Sequence, residues 1–211
     1  MRLHTENYVE QESCWPKSGR HILAQYDDDS IVVYQAYRPE IGEFAAKHGY
    51  FGGAFSLHRM SWIKPNFLWM MYRSGWAAKE GQEVVLAIRL QRAAFDQILC
   101  SAVHSSFKPK VYGSKEAWKS ALAGSEVRLQ WDPDHDPSGA KQERRAIQLG
   151  LRGETLRSYS KKWILEIEDV SSFVREQSRN VDRSAELVTP SERVYPVSDP
   201  ATRERLGISS W

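Results

Sequence analysis

The residues best suited to chemistry in this chain are basic side chains within a stretch that contains no acids. Residues 44–79 include no Asp or Glu, although acidic residues occupy 27 of the 211 positions. Arg59, Lys64 and Arg73 lie within this stretch. Because nothing nearby in the sequence neutralises these cations, they suit an anionic ligand such as a phosphate or a carboxylate. The alternative is that acids distant in the sequence, such as Asp132, pair with them after folding.

Tryptophans are interleaved with these cations. Trp62, Trp69 and Trp76 are evenly spaced in the acid-free stretch. Trp69 is surrounded by apolar residues and is expected to lie in the core. Trp62 and Trp76 are close in sequence to cations, so we expect them to stack on a flat ring such as a nucleobase or a nicotinamide. The expected ligand-binding residues are Gln35, Arg38, Arg59, Trp62, Lys64, Tyr72, Arg73 and Trp76.

A second polar grouping has the spacing of a metal loop but lacks one essential residue. Asp132, Asp134, Asp136 and Glu143 match four positions of a calcium-binding loop, but Pro137 occupies the position where that loop needs glycine. We therefore expect a solvated turn and no metal site. The chain also lacks a phosphate-binding loop, a Gly-rich dinucleotide fingerprint and a nucleophile elbow.

The elements that must position these residues are predicted to form a single α+β domain. Helices and strands are interspersed without strict alternation, which favours a mixed or antiparallel central sheet. Strands are predicted from β-branched content or alternation at residues 31–37, 83–90, 127–131, 145–151 and 163–170. Ser61 is a candidate N-cap for a helix that ends near Ser74 and is apolar on all sides, so it is expected to be buried.

The two ends of the chain are predicted to lie outside this domain. Residues 1–21 are polar and aperiodic and are expected to be a loosely held N-terminal extension. The domain is predicted to span residues 22–189. Residues 190–211 are rich in polar residues and are expected to wrap the surface as a tail.

Composition restricts the class of protein. The net charge of +2 is too small for a general nucleic-acid or membrane binder, so any charge signal must be local. Two cysteines outside any paired motif favour a reduced compartment. Because no apolar run is long enough to span a membrane, we expect a cytoplasmic protein with no membrane partner.

Four segments together resemble a family found in bacteria and fungi, the domain-of-unknown-function family number forty-two ninety-one. The segments are IVVYQAY at 31–37, RMSWIKPNFLWMMYRSGW at 59–76, QWDP at 130–133 and RAIQLGL at 145–151. The resemblance covers about residues 22–197, and the long tryptophan motif is its most specific part. This family implies no activity that can be transferred.

The layout also resembles that of compact ADP-ribosyltransferases, which hold NAD on an early strand and carry a catalytic Glu on a late one. The resemblance implies NAD as the cofactor and places Tyr34 and Gln35 at the early position and Gln148 at the late one. The chain departs from the pattern, since it has no His on the first strand and no Glu within residues 145–151. The resemblance then needs a carboxylate from elsewhere, Glu143 or Glu154. The catalytic candidates are Gln148, Glu143 and Tyr34.

These observations favour a nucleotide-binding transferase, an NAD-dependent enzyme similar to ADP-ribosyltransferases, whose partner is a nucleotide or another phosphate-bearing ligand. Two alternatives stay open. The same residues could form a non-catalytic module that binds single-stranded nucleic acid or a nucleotide. The chain could also be a protein-interaction domain whose tryptophans anchor a partner.

Overall fold

The strands and helices of the protein are interspersed along the whole described chain. They are taken from a computed structural model that describes residues 3–211. The strands are β1 (Thr5–Asn7), β2 (Gly19–Arg20), β3 (Leu23–Ala24), β4 (Ser30–Tyr37), β5 (Ser61–Ile63), β6 (Val84–Gln91), β7 (Ala102–His104), β8 (Val127–His135), β9 (Lys141–Leu151), β10 (Ile164–Asp169), β11 (Val188–Pro190) and β12 (Arg193–Val194). The helices are α1 (Tyr8–Cys14), α2 (Pro39–His48), α3 (Phe67–Ser74), α4 (Arg92–Ser101), α5 (Pro109–Tyr112), α6 (Lys115–Gly124), α7 (Gly153–Ser158), α8 (Ser171–Ser178) and α9 (Pro200–Leu206), and a π-helical turn spans Tyr159–Trp163.

A three-stranded antiparallel sheet in the order β10-β6-β4 separates two hydrophobic clusters. Side chains alternate between the faces of a strand. Ile31 and Val33 accordingly enter one cluster, and Val32 and Tyr34 enter the other. Both faces of β4 are therefore buried, which explains why its sequence is apolar without alternation.

A second sheet of five strands has the order β2-β9-β8-β7, with β5 also paired to β9. The β2–β9 and β7–β8 pairs are parallel, and β5–β9 and β8–β9 are antiparallel. The predicted α+β class is confirmed, and the second sheet is mixed.

The two sheets are joined by a backbone bridge between Tyr34 and Lys64. The Tyr34 N–H donates to the Lys64 carbonyl oxygen at 2.7 Å, and the Lys64 N–H donates to the Tyr34 carbonyl oxygen at 3.2 Å. The bridge fixes the segment that follows β5 against β4.

The predicted helix from Ser61 to Ser74 begins later than expected. Its N-cap is Asn66, whose side chain accepts from the Trp69 N–H at 2.7 Å, whereas residues 61–63 form a strand. The reason is Pro65, which disfavours helical geometry in the residue before it. The burial of this helix is confirmed, because residues 67–71 are all buried.

Other predicted elements agree in position but differ in extent. The strand predicted at 127–131 continues to His135, through the first part of the segment that was expected to form a solvated turn. The β8–β9 hairpin therefore turns at residues 136–140 and not at Asp132. The predicted strands near 31–37, 83–90, 145–151 and 163–170 correspond to β4, β6, β9 and β10.

The two ends of the chain pack against each other. Strand β1 pairs with β11, and β12 pairs with β3. Trp15 is buried and its Nε1 donates to the Glu192 carbonyl oxygen at 2.9 Å. Residues 3–21 are thus part of the packed structure and do not form the loosely held extension that their polarity suggested. The sequence did not reveal this packing because the segments that pair with them lie far away in the sequence. No helix within residues 3–211 combines the length and the apolar character needed to cross a bilayer.

Candidate functional site

A cleft of about 880 Å³ opens where α3, the start of α2 and the loop before β5 meet the edge of the second sheet. Several residues singled out from the sequence line this cleft: Gln35, Arg38, Arg59, Trp62, Lys64, Arg73 and Gln148. Because they come from β4, α3, β9, the start of α2 and the segments around β5, the cleft depends on the bridge that joins the two sheets.

The cleft is strongly cationic. Arg38, Arg59 and Arg73 are exposed, and Arg38 forms a salt bridge with Glu40 at 3.0 Å. Within residues 3–211, no carboxylate lies within salt-bridge distance of the other two arginines or of Lys64. The pairing with distant acids that was the alternative expectation is thus not seen in the described part of the chain.

Lys64 is the most unusual of these cations because it is only 5% exposed. Its Nζ lies 5.3 Å from the centre of the Trp69 ring, and Trp69 itself is buried as expected. Burial, followed by the nearby positive charge of Arg73, lowers the pKa of Lys64 from 10.5 to about 8, whereas the negative charge of Asp132 acts in the opposite direction. A buried ammonium without a partner is costly, which shifts the equilibrium towards the uncharged amine, although the ammonium stays the major form below pH 8.

A hydrogen-bonded network forms one part of the cleft wall. The Tyr159 hydroxyl donates to Gln35 Oε1 at 2.7 Å, and Gln35 Nε2 donates to Ser61 Oγ at 2.8 Å and to the Tyr37 hydroxyl at 2.9 Å. The hydroxyls of Tyr37 and Ser61 are 2.8 Å apart. Both ends of the Gln35 amide are therefore engaged inside the protein. Tyr37 and Ser61, which the sequence did not single out as ligand-binding, supply hydroxyls that line the cleft.

A second network lies beside Gln148. Its Nε2 donates to Asp132 Oδ2 at 2.7 Å, and Gln130 Nε2 donates to Asp132 Oδ1 at 2.9 Å. Gln130 pairs with Gln148 in the β8–β9 ladder, so both amides stand on the same face as Asp132. Two amides thus orient one carboxylate next to the cleft. No local sequence signal identified this carboxylate, because Asp132 was expected to lie in a turn.

Two of the catalytic candidates lie outside the cleft. Tyr34 is fully buried, and its ring packs edge-on against Phe67 at 5.4 Å. Tyr34 and Gln35 are adjacent on β4, so their side chains point to opposite faces and only Gln35 reaches the cleft. Glu143 is exposed near the start of β9 and does not line the cleft, whereas Gln148 does.

Two of the expected ligand-binding aromatic residues also lie elsewhere. The Tyr72 ring stacks on His135 with a centroid distance of 3.5 Å and an interplanar angle of 8°. Trp76 Nε1 donates to the Pro137 carbonyl oxygen at 3.2 Å. Helical spacing directs Tyr72 towards the end of β8, while Met70 and Arg73 face the cleft. Trp62 is therefore the tryptophan that lines it.

The acids that suggested a calcium loop are engaged in other contacts. Asp134 is buried and forms a salt bridge with Arg144 at 2.7 Å, and Asp136 accepts from the Ala140 N–H at 2.9 Å within the hairpin turn. Within residues 3–211, no group of three or more His, Cys, Asp or Glu side chains has an arrangement suited to a metal ion.

Fold and site together define an α+β protein with a cationic, tryptophan-walled cleft that suits an anionic ligand. The profile of the family described as Domain of unknown function (DUF4291) matches residues 21–195. The chain belongs to this family, as its tryptophan motif predicted. No curated protein matches the chain at a significant level of similarity.

Proposed function

We propose that the protein binds a nucleotide in this cleft and transfers a group from it. The observation that carries the proposal is that Arg59, Lys64 and Arg73 line one cleft with Trp62, and no Asp or Glu of residues 3–211 is among its lining residues. Guanidinium groups match phosphate oxygens in pairs and remain charged at any physiological pH. The phosphates of a ligand are therefore the best source of negative charge to neutralise these three cations.

Each part of a nucleotide has a suitable partner in this proposal. Arg59 and Arg73 hold the phosphates at the open side of the cleft. The base or nicotinamide ring stacks on Trp62. The hydroxyls of Tyr37 and Ser61 form hydrogen bonds with the ribose.

NAD is the preferred ligand of the proposal, with ADP-ribose as the group transferred. Such a reaction breaks the bond between nicotinamide and ribose and develops positive charge on the ribose, which a carboxylate stabilises. Neither Glu143 nor Asp132 lines the cleft, but Asp132 accepts a hydrogen bond from Gln148, which does, so Asp132 takes the role first considered for Glu143. Gln148, which donates to Asp132 at 2.7 Å, is then a positioning residue.

Ligand-induced thermal stabilisation tests the proposal. NAD, ADP-ribose and AMP at millimolar concentration are expected to raise the Tm, because a ligand at about 100 times its Kd stabilises by about 2.7 kcal/mol. Arg59→Ala and Trp62→Ala are expected to abolish most of the shift. Arg203→Ala, an exposed arginine on α9, is the matched control. If no nucleotide raises the Tm of the wild-type protein, the proposal is wrong.

A non-catalytic module for single-stranded nucleic acid is the second candidate. It is favoured by the exposure of Arg38, Arg59 and Arg73, which an extended strand could reach. Binding of a fluorescent oligonucleotide should then weaken steeply with salt and occur without turnover. Arg59→Ala should reduce the salt dependence, whereas Trp62→Ala should lower affinity at every salt concentration. The protein-interaction alternative has less support, because Trp62 and Trp76 are partly buried.

A further inference from the structure

We propose that Lys64 is a nucleophilic amine that forms a Schiff base with the free aldehyde carbon of a phosphorylated sugar, such as the open-chain ribose of ADP-ribose. The proposal rests on the proposed function, because the arginines of the cleft must hold the phosphates. It assigns Lys64 a covalent role in place of a purely electrostatic one.

The position of Lys64 carries this proposal. Its side chain lines the cleft, yet it is only 5% exposed. Within residues 3–211, Lys64 forms no salt bridge, and the ring of Trp69 covers one side of its Nζ at 5.3 Å. A lysine that served only as a structural cation would need acceptors to replace the water it has lost. A lysine beside another cation in a desolvated site is a recurring form of activated nucleophile.

The surroundings also keep a large fraction of the amine uncharged. Burial has the largest effect and lowers the pKa of Lys64, and the positive charge of Arg73 on α3 lowers it further. The negative charge of Asp132 on β8 raises it, and the resulting pKa is about 8. At pH 7.5, roughly a quarter of Lys64 is then uncharged, compared with about 0.1% of a solvated lysine. The phosphates must lie on the guanidinium groups, because an anion directly against Nζ would stabilise its proton.

The reaction needs no oxidant, reductant or further reactant. The Nζ lone pair attacks the carbonyl carbon and forms a C–N bond. The nitrogen gives up two protons, the carbonyl oxygen takes up two, and this oxygen leaves as water to generate the C=N bond. Tyr37 and Ser61 line the same cleft and provide hydroxyls that can donate to the carbonyl oxygen. Water reverses the reaction.

Reductive trapping tests the proposal on the full chain. The protein is incubated with ADP-ribose and cyanoborohydride, whose hydride converts an imine into a stable secondary amine, and modified lysines are located by peptide mass spectrometry. We expect Lys64 to be modified at least ten times faster than the exposed Lys79, with a rate that rises through about pH 8. AMP, which has no free aldehyde, should give no adduct and should protect Lys64.

Variants separate a reactive lysine from a folding defect. Lys64→Arg keeps the charge but cannot form an imine, so it should lose the adduct, while its far-UV circular dichroism and cooperative thermal unfolding show that it is folded. Lys79→Met should keep the adduct at Lys64. Equal modification of Lys64 and Lys79 in a protein that AMP stabilises would overturn the Schiff-base proposal and leave the proposed function intact. Preferential modification of Lys64 by glyceraldehyde 3-phosphate, without any nucleotide binding, would support the reactive amine and reject the nucleotide.

Discussion

Replacing Lys64 by methionine is expected to stabilise the folded protein at neutral pH. Methionine has a similar shape and carries no charge, so it can fill the same space beside Trp69 without a buried, unpaired ammonium. Most substitutions in a core are destabilising, and a gain at this position would single out Lys64 as a residue retained for a reason other than folding.

The size of the effect follows from the pKa of Lys64. A fall from 10.5 to about 8 means that charging this side chain costs the folded state about 3 kcal/mol more than the unfolded state. Loss of the cation–π contact with Trp69 offsets about 1 kcal/mol. The variant should therefore gain about 2 kcal/mol in free energy of unfolding at pH 7.

The sign of the pH dependence is also determined. Because the pKa is lower in the folded state, the unfolded state binds more protons between pH 8 and 10.5, and the stability contributed by wild-type Lys64 rises with pH in this window. The penalty is fully present below pH 8 and absent above 10.5. The difference between the variant and the wild type should accordingly shrink as the pH rises.

Urea unfolding monitored by tryptophan fluorescence at pH 7 and at pH 10 measures both effects, with unchanged m-values as a check on two-state behaviour. Lys79→Met, at an exposed position, should change stability by less than about 0.5 kcal/mol. A Lys64→Met protein that is less stable than the wild type by the same amount at both pH values would refute the reasoning. It would mean that the ammonium has an effective partner in the folded state.

Three other substitutions test the framework around the cleft. Asp134→Asn should lower the free energy of unfolding by about 3–5 kcal/mol, because Arg144 is then charged and buried without the carboxylate that lies 2.7 Å away in the wild type. A loss below about 1 kcal/mol in a urea titration would contradict this. Gly150→Ala places a methyl group 2.5 Å from the Met60 sulfur and 3.0 Å from the Trp62 ring, so both side chains must shift. Calorimetric nucleotide affinity should fall several-fold, and unchanged affinity would disprove the stacking role. Asn66→Ala removes the N-cap of α3 and should lower the free energy of unfolding by about 1 kcal/mol, whereas Asn66→Ser should retain most of the wild-type stability. Equal Tm values for the two variants in thermal unfolding would argue against the cap.

The cationic part of the site was accessible from the sequence because it depends on a local property. The acid-free stretch leaves Arg59, Lys64 and Arg73 without neighbours of opposite charge, and the fold brings all three to one cleft. The tryptophan motif likewise identified the family. Whether these residues bind a nucleotide stays a prediction.

The rest of the site depends on pairing between distant segments. From the sequence, Tyr34 and Gln35 were both placed at the ligand. Side chains of adjacent strand residues point to opposite faces, and the elements packed against β4 determine which face lines the cleft. The orientation of Asp132 by Gln130 and Gln148 arises from the register of the β8–β9 hairpin. Register is determined by which faces are buried and by the turn, and here the turn lies at residues 136–140, beyond Asp132, where it was expected.

The cost of burying Lys64 links the stability of the protein to its proposed function. Two backbone hydrogen bonds to Tyr34 fix the backbone of this residue between the buried Ile63 and Pro65, and the Lys64 side chain lines the cleft from there. A ligand that converts this amine into an imine removes the lone ammonium and can recover up to about 3 kcal/mol, which corresponds to roughly a hundredfold in affinity. The same substitution that stabilises the free protein should therefore weaken ligand binding. A Lys64→Met protein that is both more stable and equally good at binding ADP-ribose would show that the cost of burying this amine contributes nothing to ligand binding.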